Sequence, residues 1–377
     1  MSEPSFTIGI EEEYMIVDAE TRDLIHKAPR SLMPECKRRL KKLVTPEFLQ
    51  CQIEVGTPVC KTIQQAKSHL VELRGTVSDV VRDYDFALMA ASTHPFAVGG
   101  EQHTTRKARY RELANDLQGV VRRLIISGMH VHVGIDDDDL RIDLLDQVSY
   151  VLPHLLALST SSPFWKGLDT GLKSYRISVW DEMPRTGLPE YFESYAEYTR
   201  HVDMLVQAGI IEDATKIWWD IRPSHRFSTL EMRISDICTR LEDGVCIAAL
   251  YMCWLRMLYR LRRSNQRWRR YANMLIDENR WRAHRYGIDE GLIDFGRGEI
   301  FPYAELVDEM LELIAEDAEY LQCTAEVKHA RTIIKRGTSA HRQVAVYNKA
   351  CEKGAQPEEA LRKVVDMLVK ESLIGVR

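Results

Sequence analysis

Phe6-Thr7-Ile8-Gly9-Ile10-Glu11-Glu12-Glu13-Tyr14-Met15-Ile16-Val17 reads as a β-strand with two chemically different faces. Side chains alternate across a strand, so Phe6, Ile8, Ile10, Tyr14 and Ile16 share one face. Thr7, Gly9, Glu11 and Glu13 share the other. Glu12 breaks the pattern by pointing to the apolar side, where a carboxylate needs a buried partner. The same one-sided character recurs outward along the chain. In 48–56, Gln50, Gln52 and Glu54 oppose Cys51, Ile53 and Val55. In 124–135, His130 and His132 oppose Met129, Val131 and Val133. A strand is expected at 216–221, with Asp220 and Arg222 on one face of 218–222. In 228–235, Thr229, Glu231 and Arg233 oppose Leu230, Met232 and Ile234.

Helical periodicity fills much of the rest: 62–84, 105–117, 136–158, 189–208 and most of 240–377. A short apolar strand is expected at 86–92, and 159–180 reads as a loop rich in Ser, Gly and Pro. The four aspartates Asp136 to Asp139 suit a helix N-terminus, where exposed N–H groups favour negative charge. Strands and helices interleave without a strict βαβα order. An α+β fold with an antiparallel sheet is therefore expected over a doubly wound parallel one. No linker divides the chain, so residues 1–377 read as a single catalytic domain, with 240–377 a mainly helical lobe packed on the sheet.

Composition narrows the function. The 377 residues carry 51 Lys plus Arg against 56 Asp plus Glu, a net charge of −5. That balance argues against a nucleic-acid-coating protein. Neither Gly-x-Gly-x-x-Gly nor Gly-x-x-x-x-Gly-Lys-Ser/Thr occurs, which disfavours a dinucleotide fold and a P-loop. The N-terminus lacks a secretory pattern, and the most apolar stretch, 246–261, is interrupted by Arg256 and reads as too short to span a bilayer. The eight cysteines form no C-x-x-C pair. They read as reduced, mostly buried thiols of a cytoplasmic protein. The arginine-rich run from Arg256 to Arg270 reads as a salt-bridged solvated face.

The polar faces themselves carry the chemistry. Glu, His, Gln, Asp and Arg dominate them, without lysine. Carboxylates crowded on one face repel one another unless cations lie between them. Oxygen-rich ligand sets with an occasional imidazole suit Mg²⁺ or Mn²⁺. Arg222 and Arg233 on the same face would pair with phosphate or carboxylate oxygens. Metal, arginine and polyphosphate together point to phosphoryl transfer.

Several segments, in order, strengthen this reading. They are Gly9-Ile10-Glu11-Glu12-Glu13-Tyr14, Gln52-Ile53-Glu54-Val55-Gly56-Thr57-Pro58, Gly128-Met129-His130-Val131-His132-Val133-Gly134 and Trp218-Trp219-Asp220-Ile221-Arg222-Pro223. With Ser161-Ser162-Pro163-Phe164-Trp165, Thr229-Leu230-Glu231-Met232-Arg233 and Asn279-Arg280-Trp281-Arg282-Ala283, the chain resembles the type 2 glutamate–cysteine ligase family, in its branch of YbdK-type carboxylate–amine ligases. The resemblance covers roughly residues 6–290.

It implies a glutamine-synthetase-like fold with a cupped antiparallel sheet covered by helices on one face. It also implies an ATP- and Mg²⁺-dependent reaction. A substrate carboxylate is phosphorylated, an amine attacks the acyl phosphate, and an amide, ADP and phosphate result. In the founding activity the acid is glutamate and the amine cysteine. By the same resemblance, Glu11 and Glu54 would hold one metal ion and Glu13, His130 and Glu231 another, with Glu47 completing the first. Arg233 would contact the transferring phosphoryl group or its acceptor. Glu231 and Arg222 join it as catalytic candidates. Lys173 and Arg176 would reach ATP phosphates or a substrate carboxylate, or else lie on a solvated loop. His132 reads as a ligand or as a hydrogen-bonded support. His94 reads as a pocket residue or a backbone-satisfied turn residue. Asn279 and Arg285 fall in the last motif without a definite role.

Two rivals accompany this reading: a metal-dependent amidohydrolase on the same scaffold, and a non-catalytic nucleotide or amino-acid binding protein. Nucleotide dependence of turnover separates the first, and the mutually repelling glutamates argue against the second. The expected partners are a small carboxylate and a small amine, without nucleic acid or membrane. A homodimer is the favoured assembly.

Overall fold

β1 (Ile8–Asp18) is the central strand of a seven-stranded sheet. Around it lie β2 (Val44–Pro46), β3 (Gln52–Gly56), β4 (Phe86–Met89) and β5 (Met129–Gly134). A separate hairpin, β6 (Phe164–Trp165) and β7 (Leu168–Asp169), precedes β8 (Ile221–Pro223) and β9 (Thr229–Met232). The sheet order is β2-β3-β1-β5-β9-β8, with β4 paired to β1, and every pairing is antiparallel. Residues 8–12 of β1 pair with β5 and residues 15–18 with β4, while residues 11–15 pair with β3 on the opposite edge. The computed structural model describes residues 3–98, 102–105 and 118–376. Residues 106–117 of the helix expected at 105–117 lie outside the described residues.

Helices cover one face of this sheet. Ile63–Arg82 packs on β1 and β4, Leu241–Arg263 on β5, and Pro357–Ser372 on β4. Ile8, Ile10 and Tyr14 point into that interface and are buried. One continuous apolar core runs from these strands to Leu368. Helix starts follow their capping residues. Thr62 accepts from the Gln65 amide, and Asp137 accepts from the Leu140 amide ahead of Asp138–Val148. The aspartate run is thus a helix start, as read.

Glu12 has its partner in this interface. Arg74, on Ile63–Arg82, donates from Nη2 and Nε to the two carboxylate oxygens at 2.6 and 3.1 Å. The Tyr14 hydroxyl donates to the same carboxylate at 2.5 Å. The remaining Arg74 protons reach the carbonyls of Cys238, Thr239 and Ser372. One buried guanidinium therefore ties β1 to the segment before Leu241–Arg263 and to the C-terminal helix.

Several expectations need correction. The strand expected at 48–56 begins only at Gln52, and β2 escaped notice because three residues show no period. The strand expected at 216–221 is absent. Asp213 accepts from the Thr215 amide and starts a 3₁₀ turn at Ala214–Lys216, which delays the strand to Ile221. The loop 159–180 contains β6, β7 and a short helix, Tyr175–Trp180. The apolar stretch around 246–261 belongs to a 23-residue helix, long and apolar enough by length and composition to cross a membrane, whose sides are buried in the fold. Its Arg256 pairs with Asp317 at 2.5 Å. Arg260 shares Asp317, Arg262 and Arg267 reach Asp143, and Arg270 reaches Asp146, the ion-paired face expected of the run. All eight cysteines are free, and all but Cys351 are buried.

The Glu12–Arg74 pair sets a stability test. Arg74→Met strands a buried carboxylate and costs about 3–5 kcal/mol, read as a lower urea midpoint. Combining Arg74→Met with Glu12→Leu recovers most of that loss, because the charge is removed with its partner. An unchanged midpoint in Arg74→Met would show that the pair contributes nothing.

Candidate active site

The face of the sheet opposite the helices is built in cross-strand rows. On neighbouring antiparallel strands, residues in register place their side chains side by side. The first row runs Arg222, Glu231, His132 and Gly9 across β8, β9, β5 and β1. The second runs His130, Glu11 and Gly56 across β5, β1 and β3. The third runs Glu13, Glu54 and Thr45 across β1, β3 and β2. These rows floor a cavity of about 520 Å³. Glu11, Glu13, Glu47, Glu54, His130, His132, Glu231, Arg176, Arg222 and Arg233 all line it. Trp180, Trp218, Met183, Phe227 and Lys216 reach it from loops and helix ends.

Three kinds of charge balance operate along this floor. At the β8–β9 end, Arg222 donates from Nε and Nη2 to the two Glu231 oxygens at 3.0 and 3.1 Å, and Arg233 donates to the same carboxylate. Burial pushes the Glu231 carboxyl up, but the Arg233 and Arg222 charges outweigh it and hold it far below the usual carboxylate range. In the middle, Glu11 sits between imidazoles, with His130 Nδ1 at 3.2 Å and His132 Nε2 at 3.6 Å. Burial again opposes ionisation, yet the two histidines keep Glu11 well below its ordinary value. His130 itself is lowered to about 4 by burial and the Arg233 charge. His132 Nδ1 bonds Thr229 Oγ1 at 3.0 Å, and its buried Nε2 has no hydrogen-bond partner among the described residues.

The β2–β3 end is different. Glu13, Glu47 and Glu54 bring one carboxylate oxygen each to within 4.8 Å of one another. Gly128 donates its amide to Glu13 at 2.7 Å, and Thr45 donates to Glu54 at 3.1 Å. No arginine binds this trio directly among the described residues. Burial and the Glu54 charge push Glu13 up to about 7. Burial and the charges of Glu54 and Glu13 push Glu47 well above its ordinary value, and burial also raises Glu54. Hard oxygen donors that resist ionisation together fit a divalent cation of the Mg²⁺ or Mn²⁺ type.

The grouping differs from that implied by the resemblance. Glu54 gathers with Glu13 and Glu47 rather than with Glu11, and Glu231 is engaged by arginines. Arg176 lines the cavity, donating to the carbonyls of Ile234 and Arg233 at 3.0 Å each. Its approach requires glycine at 128, where a Cβ would come within 2.5 Å of Nη2. Lys173 is not among the cavity residues, and its ammonium lies 3.3 Å from Asp289. Its segment runs past residue 284, where the His284 carbonyl accepts the Lys173 amide. His94 is a turn residue: Nε2 bonds the Arg22 carbonyl at 2.9 Å, and Nδ1 accepts the Phe96 and Ala97 amides. Asn279 is bonded both ways to the Ile293 backbone, and Arg285 donates to the Gly171 carbonyl. Asp220 faces Arg280 instead of sharing a face with Arg222, since the strand starts only after it.

Sequence reasoning gave no role to Trp180, at the end of the expected loop, or to Lys216, at the start of the strand expected at 216–221. Trp218 stood in a quoted motif without a role. Lys216 brings a lysine to the cavity from outside the strand faces, with its ammonium paired to Glu212 at 3.3 Å.

Comparison with known proteins places this geometry. A protein of Rhodospirillum rubrum named "Putative glutamate--cysteine ligase 2" is 59% identical over 377 residues, covering 99% of this chain and 97% of that one. A Jannaschia protein of the same name is 53% identical over 370 residues, covering 98% and 97%. Among solved structures, the bifunctional glutathione synthetase of Pasteurella multocida superposes with a TM-score of 0.69 at 16% identity, over 97% of this chain and 52% of that one. Glutamate–cysteine ligase of Francisella tularensis, in complex with AMP, gives 0.69 at 14% identity, over 97% and 88%. The α+β, glutamine-synthetase-like class expected from the sequence is the fold observed. Residues 7–367 match the family model of Glutamate-cysteine ligase family 2 (GCS2), and the chain belongs to that family.

Proposed function

We propose that this protein is an ATP- and Mg²⁺-dependent carboxylate–amine ligase that forms an amide through an acyl phosphate. The observation that carries the reading is one cavity lined by three arginines together with three clustered carboxylates that no arginine bonds directly among the described residues. The names of the relatives and the AMP bound to the Francisella enzyme support a nucleotide and a glutamate-like acid. Glu13, Glu47 and Glu54 would hold the metal, with Glu11 beside them. The bound ion supplies charge neutralisation between the glutamates and the nucleotide phosphates.

The chain's own groups would do the rest by position and charge. The γ-phosphoryl group passes from ATP to the substrate carboxylate, leaving ADP. The amine then attacks the acyl carbon and phosphate departs. Arg233 Nε is buried and has no partner among the described residues, so it offers a donor to a phosphoryl or acyl oxygen. Glu231 keeps Arg222 and Arg233 fixed in the meantime, so the donors do not reorganise as charge develops. Trp180, Trp218 and Met183 supply apolar wall and limit water.

Two tests follow. ADP release with Mg²⁺, measured over a panel of acids and amines beginning with glutamate and cysteine, should require nucleotide, acid and amine together. Glu13→Gln should lower it by about 100-fold or more while the protein stays folded, because a ligand carboxylate is lost. Unchanged turnover in Glu13→Gln, or product formed without nucleotide, would remove the ligase reading.

The second test is pH. The folded Glu13 carboxyl is raised to about 7, so the metal-free protein loses stability as pH climbs from about 4.5 to about 7 and the group is forced to ionise. Protons compete with the cation over the same range. Mg²⁺ should therefore raise the thermal unfolding temperature more at pH 8 than at about pH 5.5, and the difference should vanish in Glu13→Gln. Equal shifts at both pH values would argue against this trio as the metal site.

A further inference from the structure

We propose that Arg280, which lies outside the cavity, is the positioning residue for all three cavity arginines. Its helix, Asn273–Tyr286, contributes no cavity residue, yet Arg280 is only 9% exposed. Nη1 and Nη2 each donate to an Asp181 oxygen at 2.7 Å. Nε donates to Asp220 at 2.6 Å and Nη2 reaches its second oxygen at 3.3 Å. One guanidinium thus clamps two carboxylates from distant parts of the chain.

Those two carboxylates sit where the cavity arginines begin. Asp181 caps the short helix Tyr175–Trp180, which carries Arg176 and Trp180. Asp220 directly precedes β8, which carries Arg222. The Asp220 carbonyl also accepts the amides of Arg233 and Ile234, at 2.7 and 3.1 Å. Trp180 closes the arrangement. Its Nε1 donates to the Trp218 carbonyl at 3.1 Å, and the guanidinium carbons of Arg176 and Arg233 each lie 5.5 Å from its ring centroid. Releasing Arg280 would let the helix end and the strand start move independently. A displacement of the donors by a fraction of an ångström is enough to weaken electrostatic stabilisation of a developing charge.

The kinetic part rests on the ligase reading; the structural part does not. Arg280→Lys keeps the charge but cannot span both aspartates, and Asp181→Asn loosens the half of the clamp nearer solvent. In Arg280→Lys, kcat for ADP release should fall about tenfold or more, with KM for Mg·ATP changed less than about threefold. Asp181→Asn should show the same pattern more weakly, and Arg331→Met, which disturbs an exposed pair with Asp308, should not. Independently, hydrogen exchange should quicken in peptides covering Arg233 and Trp180 in Arg280→Lys, but not in Arg331→Met. Wild-type exchange at Arg233 in a folded Arg280→Lys protein overturns the clamp, and so do wild-type kinetics. If the wild-type protein releases no ADP, the ligase reading fails and the exchange measurement alone decides the clamp.

Discussion

Carboxylates packed on one face of a sheet, away from bulk water, are the constraint around which this structure is arranged. Each must be neutralised, protonated or bridged, because burial raises the free energy of every unpaired charge. The cavity uses a different solution in each region. Two arginines hold Glu231 ionised, two histidines hold Glu11 ionised, and Glu13, Glu47 and Glu54 are left to share protons or a cation. The floor therefore carries a built-in gradient from cationic at β8–β9 to anionic at β2–β3. A polyphosphate with a divalent ion has matching polarity, with oxygens for the arginines and a cation for the glutamates.

Supporting such a gradient requires that its charges not relax toward one another. Strands provide that stiffness, since each side chain is fixed by register and by neighbours on both sides. The arginines gain a second restraint from buried layers behind them. Arg176 is bound to backbone carbonyls, and Asp236, which accepts from Ser161, Ser162 and Ser174, fixes the turn that delivers it. The guanidinium carbons of Arg176 and Arg233 both lie 5.5 Å from the Trp180 ring centroid. The flanking cations thus remain near the cavity without collapsing onto the open trio of glutamates.

Much of this was legible because strand alternation is a short-range code. Residues two apart on 6–17 and 228–235 already sort into acceptors and apolar groups, and the sheet preserves that sorting for Glu11, Glu13, His130, His132 and Glu231. What resisted reading depends on long-range contact. Glu12 looked like an error in the pattern until Arg74, 62 positions away, supplied its partner. Glu47, just past a three-residue strand with no period, came from the family resemblance and not from alternation. Asp220 lay within an expected strand, but the turn capped by Asp213 shifts the strand start and sends its side chain to Arg280. The position of Lys173 follows from backbone bonding to residue 284, which no local pattern encodes.

The apparent error at Glu12 also connects fold to site. A one-residue slip of a strand reverses every side chain between core and cavity. Glu11, Glu12 and Glu13 are the same residue type, so composition alone defines the register of β1 poorly at its centre. The apolar neighbours Ile8, Ile10 and Tyr14 favour one setting, and the bidentate bond from Arg74 penalises the other. A slipped β1 would turn both Glu11 and Glu13 toward the core, where the one Arg74 guanidinium pairs with a single carboxylate, while aiming Ile10 into the cavity. The one glutamate that faces away from the site is thus a reason the other two face into it.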